Sequence, residues 1–110
     1  MNEINFSYFE KIEIRVGTIL KIEFFEKAKN PAYQLWIDFG AFGIKKSSAQ
    51  ITDLYSLDSL INKQILAVVN FPYKQIADFK SECLVLGLTD NGKTTLITTD
   101  KPTINGLKLH

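Results

Sequence analysis

From Glu13 to Phe25 the chain alternates. Ile14, Val16, Thr18, Leu20, Ile22 and Phe24 share one parity, and Glu13, Arg15, Gly17, Lys21 and Glu23 the other. A period of two over this length predicts a long, half-buried strand, with Ile19 interrupting its polar face. Gly17 removes a side chain in mid-strand, where a bulge or sharp bend is expected. A long bent strand can serve both sides of a small barrel. The KAKNP run from Lys27 to Pro31 reads as a turn. Tyr33, Leu35, Ile37 and Phe39 then alternate with Gln34, Trp36 and Asp38 and predict a second strand. Gly40 and Gly43 bracket a reversal into a third strand over Gly43 to Ala49, with Ile44 inward and a polar, basic outer row.

The pattern then changes period. In TDLYSLDSLINK, Leu54, Leu57 and Ile61 recur at helical spacing, and Thr52 or Asp53 can cap the start by accepting an orphan backbone N–H. Gln64 to Phe71 is apolar on both faces and predicts a buried strand stopped by Pro72. A polar loop from Tyr73 to Lys80 precedes an apolar strand over Cys83 to Leu88. Asp90-Asn91-Gly92 is a hairpin signal, because Asn and Gly tolerate the positive φ of a tight reversal. Thr94 to Thr99 returns, and Asn105-Gly106 marks a last turn before Leu107 and Leu109. Three strands, a helix and at least two more strands give an all-β chain that must hide its edges. A five-stranded OB-fold Greek-key barrel, with a short helix between strands 3 and 4 and terminal extensions, has this layout. A small antiparallel sandwich competes with it.

Length and composition narrow the chemistry. One domain over residues 1–110 suits the size. The net charge of +1 excludes a partner held by gross charge, so any electrostatic partner needs a local patch. Residues 27–80 supply it, with seven lysines against four acids, whereas residues 1–26 are net acidic. Cys83 is the only cysteine and the terminal His110 the only histidine, which argues against a disulfide, a Cys-rich zinc site or a His-based base. No run approaches the ~20 apolar residues of a membrane helix, and MNEINFSYFE lacks the basic start and apolar run of a signal peptide. The expectation is a cytoplasmic, soluble chain with no membrane insertion. No glycine-rich phosphate loop, triad or metal cluster stands out, so no catalytic residue, metal or cofactor is expected. Asp38 is isolated, and Glu82 reads as an ion pair with Lys80.

What remains are binding features. Lys45 to Gln50 (KKSSAQ) puts two lysines and small polar residues on a short strand, suited to phosphates and base edges or to a solvated edge that blocks pairing. Asn70 ends an apolar strand and must find partners, either in its own loop or at the barrel mouth near Lys74, Lys80 and Ser81. Trp36 on the outward row, Phe42 beside the third strand and Tyr73 in the loop can stack bases or cover an apolar peptide. Ile4, Phe6, Tyr8 and Phe9 at one end, and Ile104, Leu107 and Leu109 at the other, are not needed to close a barrel. They read as an association surface, by default a twofold homodimer, or as covers folded over the barrel's own openings.

IEIRVGTILKIE (Ile12 to Glu23), NPAYQLWIDFG (Asn30 to Gly40), KKSSAQIT (Lys45 to Thr52) and VVNFPYKQIADFKSECLVLG (Val68 to Gly87) together resemble the tRNA-binding OB-domain family over nearly the whole chain. That family includes free-standing proteins and domains appended to methionyl- and phenylalanyl-tRNA synthetases. SSAQIT, LINKQ and SECLVLG are most similar to its CsaA branch of secretion-related chaperones. The resemblance implies a homodimer built through the extensions 1–12 and 100–110, and tRNA binding by shape and backbone. For the CsaA branch it also implies binding of unfolded or precursor polypeptides in cooperation with the export machinery. A stand-alone tRNA-binding protein acting in trans with an aminoacyl-tRNA synthetase is the alternative. Carried over by position, the tRNA face would use Lys45, Lys46, Ser48, Gln50, Asn70, Lys74, Lys80 and Ser81. Asp78, Glu82 and Cys83 depart from the family pattern of glycine, a small residue and methionine, and Glu82 brings negative charge to that face.

Overall fold

Ile19, Leu35, Ile37 and Ile65 have no exposed surface, and the strands carrying them form one antiparallel sheet that curls around them. The computed structural model describes residues 1–110. The sheet runs β3-β2-β1-β4-β7, with β1 at Ile14–Phe24, β2 at Tyr33–Asp38, β3 at Ile44–Ala49, β4 at Gln64–Val68 and β7 at Leu84–Val85. Closure comes where β7 meets β3. The Glu82 N–H donates to the Lys46 carbonyl at 2.7 Å, and the buried Ser47 hydroxyl donates to the Cys83 carbonyl at 2.9 Å. The result is a nearly closed five-stranded barrel of the OB type, as the strand order implies. Each fully buried Ile, Leu or Phe in its interior contributes about 1.5–3 kcal/mol.

Three details differ from the sequence pattern. In β1 the irregularity lies between Ile19 and Lys21, not at Gly17. Gly17 and Ile19 face the core before the bulge and Ile22 after it, so the inward parity switches along the strand and Leu20 is exposed. Gly17 serves close approach instead: a Cβ there would sit 2.5 Å from Ile37 Cγ2 and 2.7 Å from the Phe39 ring. In β3 the inward residues are Ser47 and Ala49, and Ile44 points out at 60% exposure. The helix α2 is only Leu57–Leu60, and Ser56 caps it rather than Thr52 or Asp53. Ser56 and Ser59 each accept the other's backbone N–H, a reciprocal box.

The apolar segment after α2 leaves the sheet at Val68, before Phe71. The expected polar loop is a hairpin, β5 at Lys74–Ile76 and β6 at Phe79–Ser81. Its Phe79 is buried against Phe25 and Ala32, with Trp36 edge-on at 6.0 Å, in a second small apolar cluster outside the barrel. The run Cys83 to Leu88 divides into β7 and β8 at Gly87–Asp90, and β8 pairs with β9 at Lys93–Leu96. Their turn is the foreseen one, with Asn91 and Gly92 both at positive φ.

The N-terminal apolar residues lie partly on a helix. Phe6–Lys11 is a short helix, α1, with Phe6 and Phe9 rings 5.7 Å apart. The last residues run back along β1: Val16 N–H donates to the Leu107 carbonyl and Leu109 N–H to the Ile14 carbonyl. Lys108 Nζ reaches the Glu10 carbonyl at 2.8 Å, so both chain ends share one side of the barrel. No helix is long and apolar enough to cross a membrane.

Candidate functional site

Period two on β3 decides which of its polar side chains can act together. Lys46 and Ser48 share the outward parity, whereas Lys45 shares the parity of buried Ser47 and Ala49. Lys45 and Lys46 therefore leave opposite faces of one strand. On the β5–β6 hairpin, Lys74 pairs with Ser81 and Ile76 with Phe79, and these residues face β3. The Ser48 N–H donates to the Ser81 hydroxyl at 3.0 Å and ties hairpin to strand.

Between the two lies a groove of about 320 Å³. Ser48, Gln50, Lys74 and Ser81 supply its polar wall, and Phe71, Pro72, Ile76, Cys83 and Leu84 its apolar one. Four of the eight residues expected on a tRNA face are thus gathered. A second concavity of about 270 Å³ shares Ser48, Gln50, Lys74 and Ile76 with it and adds Lys29. Phe71, Pro72, Ile76 and Leu84 were missed in the sequence because they read as core, loop or turn.

The other expected residues stand elsewhere. Lys46 Nζ lies 5.2 Å from the Phe79 ring centre, beside the groove. Lys80 is on the hairpin's opposite face, 4.7 Å over Tyr73. Asn70 is spent on structure: its side-chain carbonyl accepts the Glu13 N–H and its amide donates to the Lys11 carbonyl. Its partners are the N-terminal segment, not its own loop. Glu82 forms no ion pair with Lys80; its carboxylate accepts the Lys46 N–H at 2.9 Å. That engagement ties its charge to the strand and away from the groove. Asp38 accepts the Gly40 N–H.

Trp36, Phe42 and Tyr73 have three different settings. Trp36 is half-covered by Phe79 and by Lys21, whose Nζ is 4.5 Å from its ring. Phe42 lies in a single 3-10 turn, Gly40–Phe42, under the Arg15 guanidinium at 3.9 Å. Tyr73 is 57% exposed beneath Lys80. At the chain ends Ile4, Phe6, Tyr8, Ile104, Leu107 and Leu109 are exposed, and Phe9 is half-buried.

Two titrating features bear on chemistry. Burial pushes the Cys83 thiol up to about 12, so it stays protonated and a poor nucleophile. Asp78, hydrogen-bonded to Lys27 at 2.7 Å, is held below its ordinary value, and Lys27 is raised by the same bond. This surface pair joins the β1–β2 turn to the hairpin tip.

Residues 14–108, which include every residue of the groove, match the family model described as "Putative tRNA binding domain". The chain belongs to the tRNA-binding-domain family. Among solved structures, the chaperone CsaA of Bacillus anthracis str. Ames superposes with a TM-score of 0.93 at 45% identity, covering 99% of this chain and 100% of that one. The CsaA chaperone protein of Picrophilus torridus gives 0.92 at 50% identity, covering 98% and 100%. A methionine–tRNA ligase of Methanococcus vannielii is 28% identical over 110 residues, but the chain spans only 16% of its length.

Proposed function

We propose that this chain is a non-catalytic, homodimeric, CsaA-like chaperone that binds unfolded or precursor polypeptides in the cytoplasm for export and also binds tRNA through its basic groove. One observation carries the chaperone reading: the match to CsaA chaperones covers both chains end to end at 45–50% identity. The polar wall with Lys74, and Lys46 beside it, supports the tRNA part. The exposed apolar residues of the joined chain ends, Ile4, Phe6, Tyr8, Leu107 and Leu109 among them, support association of two copies. Trp36, Phe42 and Tyr73 remain candidates for polypeptide contact, at separate places rather than in one groove. No cofactor or metal enters this function.

The alternative is a stand-alone tRNA-binding protein that serves an aminoacyl-tRNA synthetase in trans. Its support is the likeness to one segment of methionine–tRNA ligases. A salt titration separates the two. tRNA affinity should fall with a log–log slope of about −0.7 to −0.9 per phosphate contacted, while suppression of aggregation of an unfolded client should barely respond. A protein that binds tRNA but protects no client at any salt concentration is the trans-acting one.

A further inference from the structure

The groove between β3 and the β5–β6 hairpin is too small for a helical segment of RNA. Its volume of about 320 Å³ falls at the lower end of small-ligand sites. One wall is apolar, and Phe71 on its rim is 50% exposed. The other wall carries groups with hydrogen-bonding capacity to spare. The Ser81 hydroxyl accepts from Ser48 N–H and keeps its own hydrogen, and the Ser48 hydroxyl and Gln50 amide bond to nothing else in the chain. The adjoining concavity holds Lys29 and Lys74, neither in an ion pair. No carboxylate lines either concavity. An apolar face, rotatable donors and acceptors, and two unspent cations one step away match a base, its edge and its phosphates.

We propose that this groove seats one unpaired RNA nucleotide, with its base stacked on Phe71, its edge facing Ser48, Gln50 and Ser81, and flanking phosphates at Lys74 and Lys29. The inference rests on the RNA-binding reading above and adds to it a single-strand anchor beside recognition by shape. Hydroxyls and an amide can each donate and accept, so the pocket tolerates any base. An apolar peptide side chain would use one wall and leave both lysines without a partner, which is why a nucleotide is favoured.

Two RNA hairpins with the same stem test it, one blunt and one with a short unpaired 3′ overhang, each titrated with the full chain by fluorescence anisotropy. The overhang should tighten binding roughly tenfold, the scale of one base stacked on an aromatic ring. Phe71→Ala should abolish that gain and leave affinity for the blunt hairpin unchanged; the half-exposed ring makes unfolding avoidable, and circular dichroism checks it. Lys29→Ala with Lys74→Ala should flatten the salt slope for the overhang RNA by about 1.4, more than for the blunt one. Equal affinity for the two hairpins, or a gain that survives Phe71→Ala, overturns the nucleotide pocket while RNA binding stands. An apolar peptide that displaces the overhang and itself loses affinity in Phe71→Ala names a polypeptide occupant and also overturns it. Failure of the unaltered chain to bind either hairpin at low salt overturns the RNA-binding reading itself.

Discussion

Two sides of the barrel are built by different means. On one, the β5–β6 hairpin stands off β3 and is anchored by Phe79 in a small apolar cluster, by the Ser48–Ser81 bond and by the Lys27–Asp78 pair. Polar side chains there are left with unused donors. On the other side, the two chain ends are laced to the barrel. Backbone bonds tie them to β1, Asn70 clamps Lys11 and Glu13, and Gln64 grips Thr103 and Asn105. There the polar groups are consumed and the exposed residue is apolar. A side with spare hydrogen bonds and lysines suits a charged, hydrated ligand; a side with satisfied backbone and bare Ile, Phe and Leu suits another protein surface.

Phe79→Ala is the harshest way to break this division. Burying Phe79 against Phe25 and Ala32 holds the hairpin, and its truncation should cost about 3 kcal/mol, on the order of 10–20 °C in Tm. Below the new Tm, tRNA affinity should collapse while self-association measured by sedimentation persists. Parallel loss of both would mean the two sides are one unit.

Gln64→Ala attacks the opposite side. The Gln64 amide donates to the Thr103 carbonyl and Asn105 Oδ1, and its oxygen accepts from Thr103 N–H and the Thr99 hydroxyl. Losing this hub should cost about 2 kcal/mol. Hydrogen exchange should show the segment after Thr99 loosening, and self-association should weaken with tRNA affinity preserved.

These two positions also show what a sequence can and cannot disclose. The barrel was legible because β1, β2 and the β8–β9 turn declare themselves locally, by parity and by Asn-Gly. Parity failed where a bulge reset it, at Leu20, and where a buried serine replaced an apolar residue, at Ser47. Ser47 is tolerated inside only because Cys83, 36 residues away, offers its carbonyl. The hairpin was missed since its strands are three residues each, too short for any period. Half of the expected tRNA face converged on the groove, because neighbours in sequence on one strand parity remain neighbours in space. Asn70 did not, because its partners lie 57 and 59 residues away.

The two lysines of β3 give a finer test. Lys46 faces the hairpin and Lys45 the barrel side, so their roles should separate. Lys46→Ala should reduce the salt slope of tRNA binding by about 0.7–0.9, and Lys45→Ala should leave it unchanged. Equal effects would mean the ligand reaches the end of β3 from both faces.

The smallest effect concerns the clasp at the hairpin tip. The Asp78 carboxyl is held below its ordinary value of 3.8 by its bond to Lys27. A depressed acid contributes stability that is complete above the unfolded value and is lost as pH falls through the folded one. Lys27, raised above 10.5, contributes below that value and loses it as pH climbs through its folded value. Both windows lie far from neutrality, so the clasp is closed at pH 7, and because both groups are exposed its effect on global stability should be slight. Lys27→Met should move the Asp78 carboxyl titration, followed by NMR, upward toward the ordinary value. The terminal side has its own acid in Glu13, which holds Arg15 against the Gly106 carbonyl, so resonances of residues 104–109 should follow the same acid titration in the unaltered chain and in Lys27→Met. A difference between the two there would show that the hairpin's charge state reaches the chain ends, and the separation between the two sides would not hold.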